Sequence, residues 1–166
     1  VVAARKAFGG WTKATAYNRG QILYRVAEVM EGRRAQFVDE VAAAEGLTAR
    51  RAEAAVEAAI DRWVWYAGWA DKFAQISGAS NPVEGPYFNF TVPEPVGVVG
   101  LVCPDDAPLL ALVSRVAPII VSGNTTVVVA SERAPLVSIT LAEAIATSDV
   151  PAGVVNILTG RRAELV

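Results

Sequence analysis

The spacing of apolar residues changes once along the chain, near residue 95. Before that point apolar side chains recur every three or four positions, as at Ile22 and Val26, which is typical of helices with one buried face. Gly46 is placed to end one of these helices, because glycine readily adopts the left-handed conformation found at helix C-termini. The pattern therefore predicts that residues 1–73 are helical.

The longest predicted helix covers residues 49–73 and carries a cluster of four aromatic residues. They are Trp63, Trp65, Tyr66 and Trp69. Such a cluster could stack on a nucleic-acid base or form one wall of a cofactor site. Aromatic side chains far more often pack in cores and interfaces, so the favoured prediction is that the cluster packs this helix onto a neighbouring layer.

Helical spacing is lost over residues 74–93, where glycine, proline, serine and asparagine predict a connecting loop. Within this loop, residues 87–92 alternate between apolar and polar side chains, which predicts a half-exposed strand. Pro93 and Pro95 separate that strand from the next one, because proline lacks the N–H group that a strand ladder needs.

After residue 95, short apolar runs alternate with longer helical patterns. The predicted strands cover residues 96–102, 125–129 and 154–158, and the predicted helices cover 109–121 and 136–147. This alternation is typical of an α/β fold with a Rossmann-like, doubly wound parallel sheet and right-handed crossovers. Ligands of such sheets bind at the carboxyl ends of the strands, so the residues that follow each strand are the functional candidates.

Two acidic residues, Asp105 and Asp106, follow the first predicted strand and precede the helix that begins near Leu109. Helix N-termini favour anions, so these carboxylates occupy the place where an anionic cofactor would bind. A simpler interpretation is that one of the two caps the helix.

The composition narrows the possible chemistry. The chain has no histidine and one cysteine, Cys103, so no zinc-binding pattern, no metal site and no internal disulfide are expected. A lone cysteine suits the reducing cytoplasm. The net charge of −2, without a basic run, argues against nucleic acid and membrane surfaces as partners.

Several motifs resemble those of aldehyde dehydrogenases, in the family order and at close to the family spacing. They are WYAGWADK at 65–72, EPVGVVG at 94–100, AP at 117–118 with GNT at 123–125, SE at 131–132 with PL at 135–136, and PAGVVNI at 151–157 followed by Gly160. Together these motifs extend over nearly the whole chain.

The resemblance implies the N-terminal part of the cofactor domain of an NAD- or NADP-dependent oxidoreductase that converts aldehydes to carboxylic acids. It divides the chain into helices (1–73), a strand of an oligomerisation arm (87–92) and a βαβαβ unit (96–166). Both ends of the sequence look like interrupted helices, so an incomplete fragment is expected. The expected partners are the rest of its own polypeptide and further copies of it.

The family's nucleophilic cysteine and general-base glutamate are expected beyond Val166, so no catalytic residue is expected in this chain. Cys103 is expected to be a small buried residue instead. The resemblance places cofactor-binding positions at the strand ends. These positions are Val102, Cys103, Pro104, Asp105, Val129, Ser131, Glu132 and Gly160.

Several of these positions depart from the family pattern. Asp105 replaces a tryptophan, and Asp106 replaces the asparagine that donates a hydrogen bond to the developing oxyanion. Val129 replaces a lysine that reaches the adenosine ribose, whereas Glu132, which can hold the ribose hydroxyl groups, is retained. Arg162 stands where a glycine would let the cofactor approach the backbone closely.

This combination resembles the second, non-catalytic half of the tandem-domain aldehyde dehydrogenases (family sixteen) and predicts a pseudoenzyme domain that serves assembly. Two alternatives stay open. In the first, the chain belongs to a working dehydrogenase whose cysteine lies outside it, with Asp105 or Asp106 protonated by burial. In the second, the acidic strand ends, including Glu132, bind a cationic ligand.

Overall fold

The computed structural model describes residues 1–165. The helices are α1 (Val2–Trp11), α2 (Ala16–Gly32), α3 (Arg34–Glu45), α4 (Ala49–Trp69), α5 (Phe73–Ser77), α6 (Pro108–Val121), α7 (Pro135–Ala146) and α8 (Arg162–Leu165). The strands are β1 (Ala79–Asn81), β2 (Asn89–Thr91), β3 (Val98–Val102), β4 (Thr125–Val129) and β5 (Val155–Leu158). Within the described part of the chain, no helix is both long enough and apolar enough to cross a membrane.

Strands β3, β4 and β5 form a parallel sheet with β4 in the centre. The predicted fold, N-terminal helices followed by a parallel α/β unit, is confirmed, and β4 has its predicted bounds. β3 begins two residues later than predicted, because Gly97 has a φ of +123°, far from strand backbone. In the register, Val102 lies beside Val129 and Val129 beside Leu158, so the three strands end level with one another.

The hydrophobic core lies between the N-terminal helices and the sheet. α4 packs against α2, α3 and α6, while α1 and α6 both contact the central strand β4. β4 is therefore buried at four of its five positions. The largest fully buried side chains include Trp63, Phe37, Leu23, Met30 and Leu112. Removing one such side chain from water contributes roughly 1.5–3 kcal/mol.

The ends of the N-terminal helices follow the sequence signals in part. Gly46 ends α3 with a φ of +64°, as predicted. α4 ends at Trp69, four residues before the predicted end at Phe73. The reason is a tightened last turn, in which the N–H of Lys72 donates to the carbonyl of Trp69 and its ammonium group donates to the carbonyl of Gly68.

The predicted loop over residues 74–93 is wrong in part, because it contains α5 and the strand β1. β1 pairs antiparallel with β2, and the amide of Asn81 donates to the side chains of Asn89 and Thr91 at 2.9 and 3.0 Å. β1 consists of alanine, serine and asparagine, so it has no apolar alternation to reveal it. β2 is shorter than the predicted strand at 87–92.

The four aromatic residues of α4 do not share one environment. Trp63 is fully buried, as predicted for a packing residue. Trp65 is 58% exposed, and its ring centroid lies 5.9 Å from that of the half-buried Trp69. The packing prediction is therefore wrong for Trp65. Side chains on one face of a helix recur every three or four positions, whereas Trp65 follows Trp63 by only two. Trp65 therefore points away from the buried face that carries Trp63.

Candidate functional site at the carboxyl edge of the sheet

The level ends of β3, β4 and β5 place their following loops along one edge of the sheet. The backbone ladder continues one residue past the strands, since the N–H of Cys103 donates to Val129 and the N–H of Ala130 donates to Leu158, both at 2.9 Å. In parallel α/β sheets this carboxyl edge is where ligands bind, beside the helix N-termini. This edge is the candidate functional site.

Cys103 lies at this edge but faces the interior. Its side chain is 1% exposed, which confirms the predicted small buried residue. Burial raises the pKa of its thiol above the ordinary cysteine value. Because the thiolate is the nucleophilic form, this cysteine is unsuited to attack a substrate.

Neither Asp105 nor Asp106 caps α6. The interpretation of one of them as a helix cap is therefore wrong. The N-cap residue of α6 is Ala107, with a φ of +46°, and it makes no side-chain capping bond. Pro108 begins the helix and has no N–H of its own to satisfy, which reduces the need for a cap. The left-handed turn at Ala107 leaves the two carboxylates outside the helix.

The carboxylate of Asp105 is held by two partners. It accepts a hydrogen bond from the hydroxyl of the buried Ser131 at 2.7 Å and lies 3.6 Å from the guanidinium of Arg162. The Ser131 hydrogen bond, and after it the positive charge of Arg162, lower the pKa of Asp105. Asp105 is therefore ionised at neutral pH, and the alternative in which burial protonates this carboxylate is wrong for Asp105.

We expect Ser131→Ala to raise the pKa of Asp105 toward the ordinary aspartate value, because the hydroxyl is the largest cause of the lowered pKa. NMR titration of the Asp105 carboxyl carbon measures the change. Ser148 provides a matched control, since it is equally buried but donates to the carbonyl of Ile145. An Asp105 pKa that is the same in Ser131→Ala and Ser148→Ala would contradict this account of the carboxylate.

Arg162 connects the strand ends. Its Nη2 donates to the carbonyl oxygen of Cys103 at 2.7 Å, and its backbone N–H donates to the carboxylate of Glu132. Arg162 follows β5 and Cys103 follows β3, while β4 lies between those two strands. Because its backbone contacts Glu132, which follows β4, Arg162 joins the loops that follow all three strands. Its Nε is buried and has no hydrogen-bond partner among residues 1–165.

Arg162 thereby brings four of the predicted positions into one network: Cys103, Asp105, Ser131 and Glu132. Sequence reasoning named Arg162 only as a departure from a glycine and did not foresee this contact. The sequence did contain a signal for this contact: the cationic Arg162 follows β5, while the acidic Asp105 and Glu132 follow β3 and β4. Position along the chain, however, does not reveal whether that side chain reaches across or points into solvent.

Asp106 is separate from this network. It is exposed and lines a pocket of about 350 Å³ together with Asp105, Glu45 and Arg133. Burial, and to a smaller extent the negative charge of Asp106, raise the pKa of Glu45 above the ordinary glutamate value. The pocket is thus acidic on one side.

Glu45→Gln is expected to stabilise the protein near neutral pH. A carboxyl group whose folded-state pKa is raised opposes folding at higher pH, and this penalty disappears as the pH falls below its unfolded pKa. The free energy of unfolding should rise by at most about 1 kcal/mol at neutral pH and stay unchanged near about pH 3. Urea denaturation at both pH values tests this, with the exposed Glu53→Gln as control. A gain that is equal at both pH values would count against the burial argument.

The remaining predicted positions lie around the network. Val129 is 6% exposed and Val102 is 42% exposed, and neither side chain offers a polar group. Pro104 is half-buried, while Gly160 is exposed and lies next to Leu165. Their assignment as cofactor-binding positions stays a prediction.

Comparison with known proteins identifies the fold and its relatives. Residues 1–166 match the model of the aldehyde dehydrogenase family. The chain is 37% identical to human retinal dehydrogenase 2 over 164 residues, which is 96% of this chain and 31% of that protein. It is 36% identical to aldehyde dehydrogenase, cytosolic 1, of Elephantulus edwardii over 168 residues, 96% of this chain and 32% of that protein.

Among solved structures, the NAD⁺ complex of aldehyde dehydrogenase from Bacillus cereus superposes with a TM-score of 0.90 at 31% identity. The match covers 96% of this chain and 33% of that one. The chain thus spans about a third of the length of the relatives it matches. Because the family model matches it from end to end and the parallel sheet superposes on solved members, the chain belongs to the aldehyde dehydrogenase family.

Proposed function

We propose that this chain is a non-catalytic member of its family, a dinucleotide-binding fold retained for assembly in a larger polypeptide. The observation that carries the proposal is the network of Arg162 with Asp105 and Glu132 at the carboxyl edge of the sheet. Solved relatives include NAD complexes, and a dinucleotide in this fold binds at that edge. Here protein side chains occupy it.

The altered positions support the same proposal. Asp106 carries a carboxylate where the family resemblance places an amide donor, and a carboxylate has no proton to donate to a developing oxyanion. Val129 has no donor for a ribose hydroxyl group. Cys103 is buried with a raised thiol pKa and does not replace the nucleophile that the family uses.

The finer identity that we propose is the second half of a tandem-domain protein of family sixteen. In that arrangement residues 1–73 form the N-terminal helices, 87–92 belong to an oligomerisation arm and 96–166 form the βαβαβ unit. The arm exposes Phe88 and Phe90, which are 79% and 59% accessible, as expected of a surface that contacts the rest of the polypeptide or another copy. A lone reduced cysteine is consistent with a cytoplasmic protein.

Calorimetric titration of residues 1–166 with NAD and NADP tests the proposal. We expect no saturable binding up to about 1 mM of either dinucleotide. The aldehyde dehydrogenase from Bacillus cereus serves as the positive control, since it forms an NAD⁺ complex. Saturable binding at micromolar concentration would favour the alternative, in which this chain is the cofactor-binding part of a working NAD(P)-dependent aldehyde dehydrogenase.

A further inference from the structure

We propose that Arg162 is an intramolecular plug that keeps dinucleotides out of the carboxyl edge of the sheet. This inference rests on the proposed function and names the residue responsible for most of the lost affinity. Two observations carry it: the position of the side chain at the carboxyl edge and the contacts of its guanidinium.

The position of the side chain follows from its contacts. The backbone N–H of Arg162 donates to Glu132, which follows β4, and its Nη2 donates to the carbonyl of Cys103, which follows β3, at 2.7 Å. The side chain therefore lies along the carboxyl edge, between the loops that follow β3 and β4. In a parallel sheet this is the space that a ligand would enter.

The charge of Arg162 is partly offset by contacts within the protein. Nη2 donates to the carbonyl of Cys103 and lies 3.6 Å from the Asp105 carboxylate, which accepts from Ser131. Nε is buried, while the side chain as a whole is 37% exposed. The nearby carboxylate reduces the attraction that this guanidinium offers to an anionic pyrophosphate.

The backbone of Arg162 makes a separate contact. Its N–H donates to one oxygen, Oε1, of the Glu132 carboxylate. A carboxylate accepts several hydrogen bonds, so Glu132 stays able to accept from a ribose hydroxyl group. Because the donor is the backbone, this bond persists in Arg162→Gly, and the plug consists of the side chain alone.

The test is Arg162→Gly in the full-length polypeptide that contains this chain. The matched control is Arg161→Gly, since Arg161 is the adjacent arginine, is 82% exposed and pairs with the exposed Glu164 at 3.7 Å. Hydrogen–deuterium exchange of residues 98–106 and 125–134 is compared with and without about 1 mM NAD. This readout is local, so binding elsewhere in the polypeptide does not obscure it.

We expect NAD to slow exchange of these segments at least about threefold in Arg162→Gly and to leave the native protein and Arg161→Gly unchanged. Circular dichroism and the Tm establish that each variant is folded. If NAD protects neither folded Arg162→Gly nor the native protein, the plug is overturned and the proposed function stands. If NAD protects both the native protein and the variant, the plug and the proposed function are both overturned.

Methylguanidinium provides a second test, because it restores the missing group without the covalent link. In Arg162→Gly it should suppress the NAD-dependent protection, whereas sodium chloride at the same ionic strength should not. Equal suppression by the two salts would indicate charge screening and would overturn a specific guanidinium site.

Discussion

Arg19→Met is expected to lower the free energy of unfolding by about 3 kcal/mol. Arg19 is 7% exposed, and its Nε donates to the carbonyl of Val121 at 2.8 Å while Nη1 donates to the carbonyl of Ala14. Val121 is the last residue of α6, so its carbonyl has no partner within the helix. Methionine fills a similar volume but leaves both carbonyls without their donor.

The charge of Arg19 explains why this site is costly to disturb. No ion pair among residues 1–165 involves Arg19. Burial lowers its pKa, yet an arginine remains charged at neutral pH. Its stabilisation comes instead from two carbonyl oxygens, that of Val121 at the negative end of the α6 dipole and that of Ala14 in the turn before α2. The side chain thereby ties α2 to the C-terminus of α6.

Urea denaturation of Arg19→Met and Arg25→Met measures this contribution. Arg25 lies on the same helix, is 57% exposed and pairs with Asp149 at 3.0 Å. Exposed ion pairs contribute little, so Arg25→Met should cost less than about 1 kcal/mol. Equal losses for the two variants would show that the buried contacts of Arg19 do not stabilise the fold as argued.

Gly153→Ala is expected to cost about 3 kcal/mol, from backbone strain and a steric clash combined. Gly153 has a φ of +89°, which L-residues rarely adopt. A Cβ there would lie 2.7 Å from the carbonyl oxygen of Ala3 and 3.1 Å from the Cβ of Ala7. Both neighbours belong to α1, so the clash pushes this helix away from the sheet.

Gly46→Ala separates the two contributions. Gly46 also has a positive φ, of +64°, but no atom lies within 4 Å of a Cβ built there. Its substitution should cost only the strain, about 1 kcal/mol. Hydrogen exchange should be faster across α1 in Gly153→Ala and unchanged there in Gly46→Ala. Equal losses of stability, with α1 unaffected in both variants, would contradict the close-packing argument.

Secondary structure was largely predictable because it follows from local periodicity. β4 has its predicted bounds, and α6 and α7 begin and end within one residue of the predicted helices. Gly46 was predictable because only its own backbone conformation is involved. β1 was not, since its pairing with β2 is made by polar residues that carry no periodic signal.

The candidate site was predictable in position and not in its contacts. Residues after parallel strands meet at one edge, so Asp105, Ser131 and Glu132 were expected together. Their partner Arg162 lies 59 residues from the carbonyl that it contacts. Which of several charged side chains fills a shared space depends on distances and burial that a linear pattern does not contain.

The sequence by itself determined the fold class, the family resemblance and the edge of the sheet where a ligand would bind, because apolar spacing and turn residues act over a few positions. Only the tertiary structure decided that Asp105 is ionised, that neither aspartate caps α6 and that Arg162 contacts the carbonyl of Cys103. Those outcomes depend on electrostatic and steric contacts between segments far apart in the chain, and such contacts exist only once the sheet has brought the strand ends level.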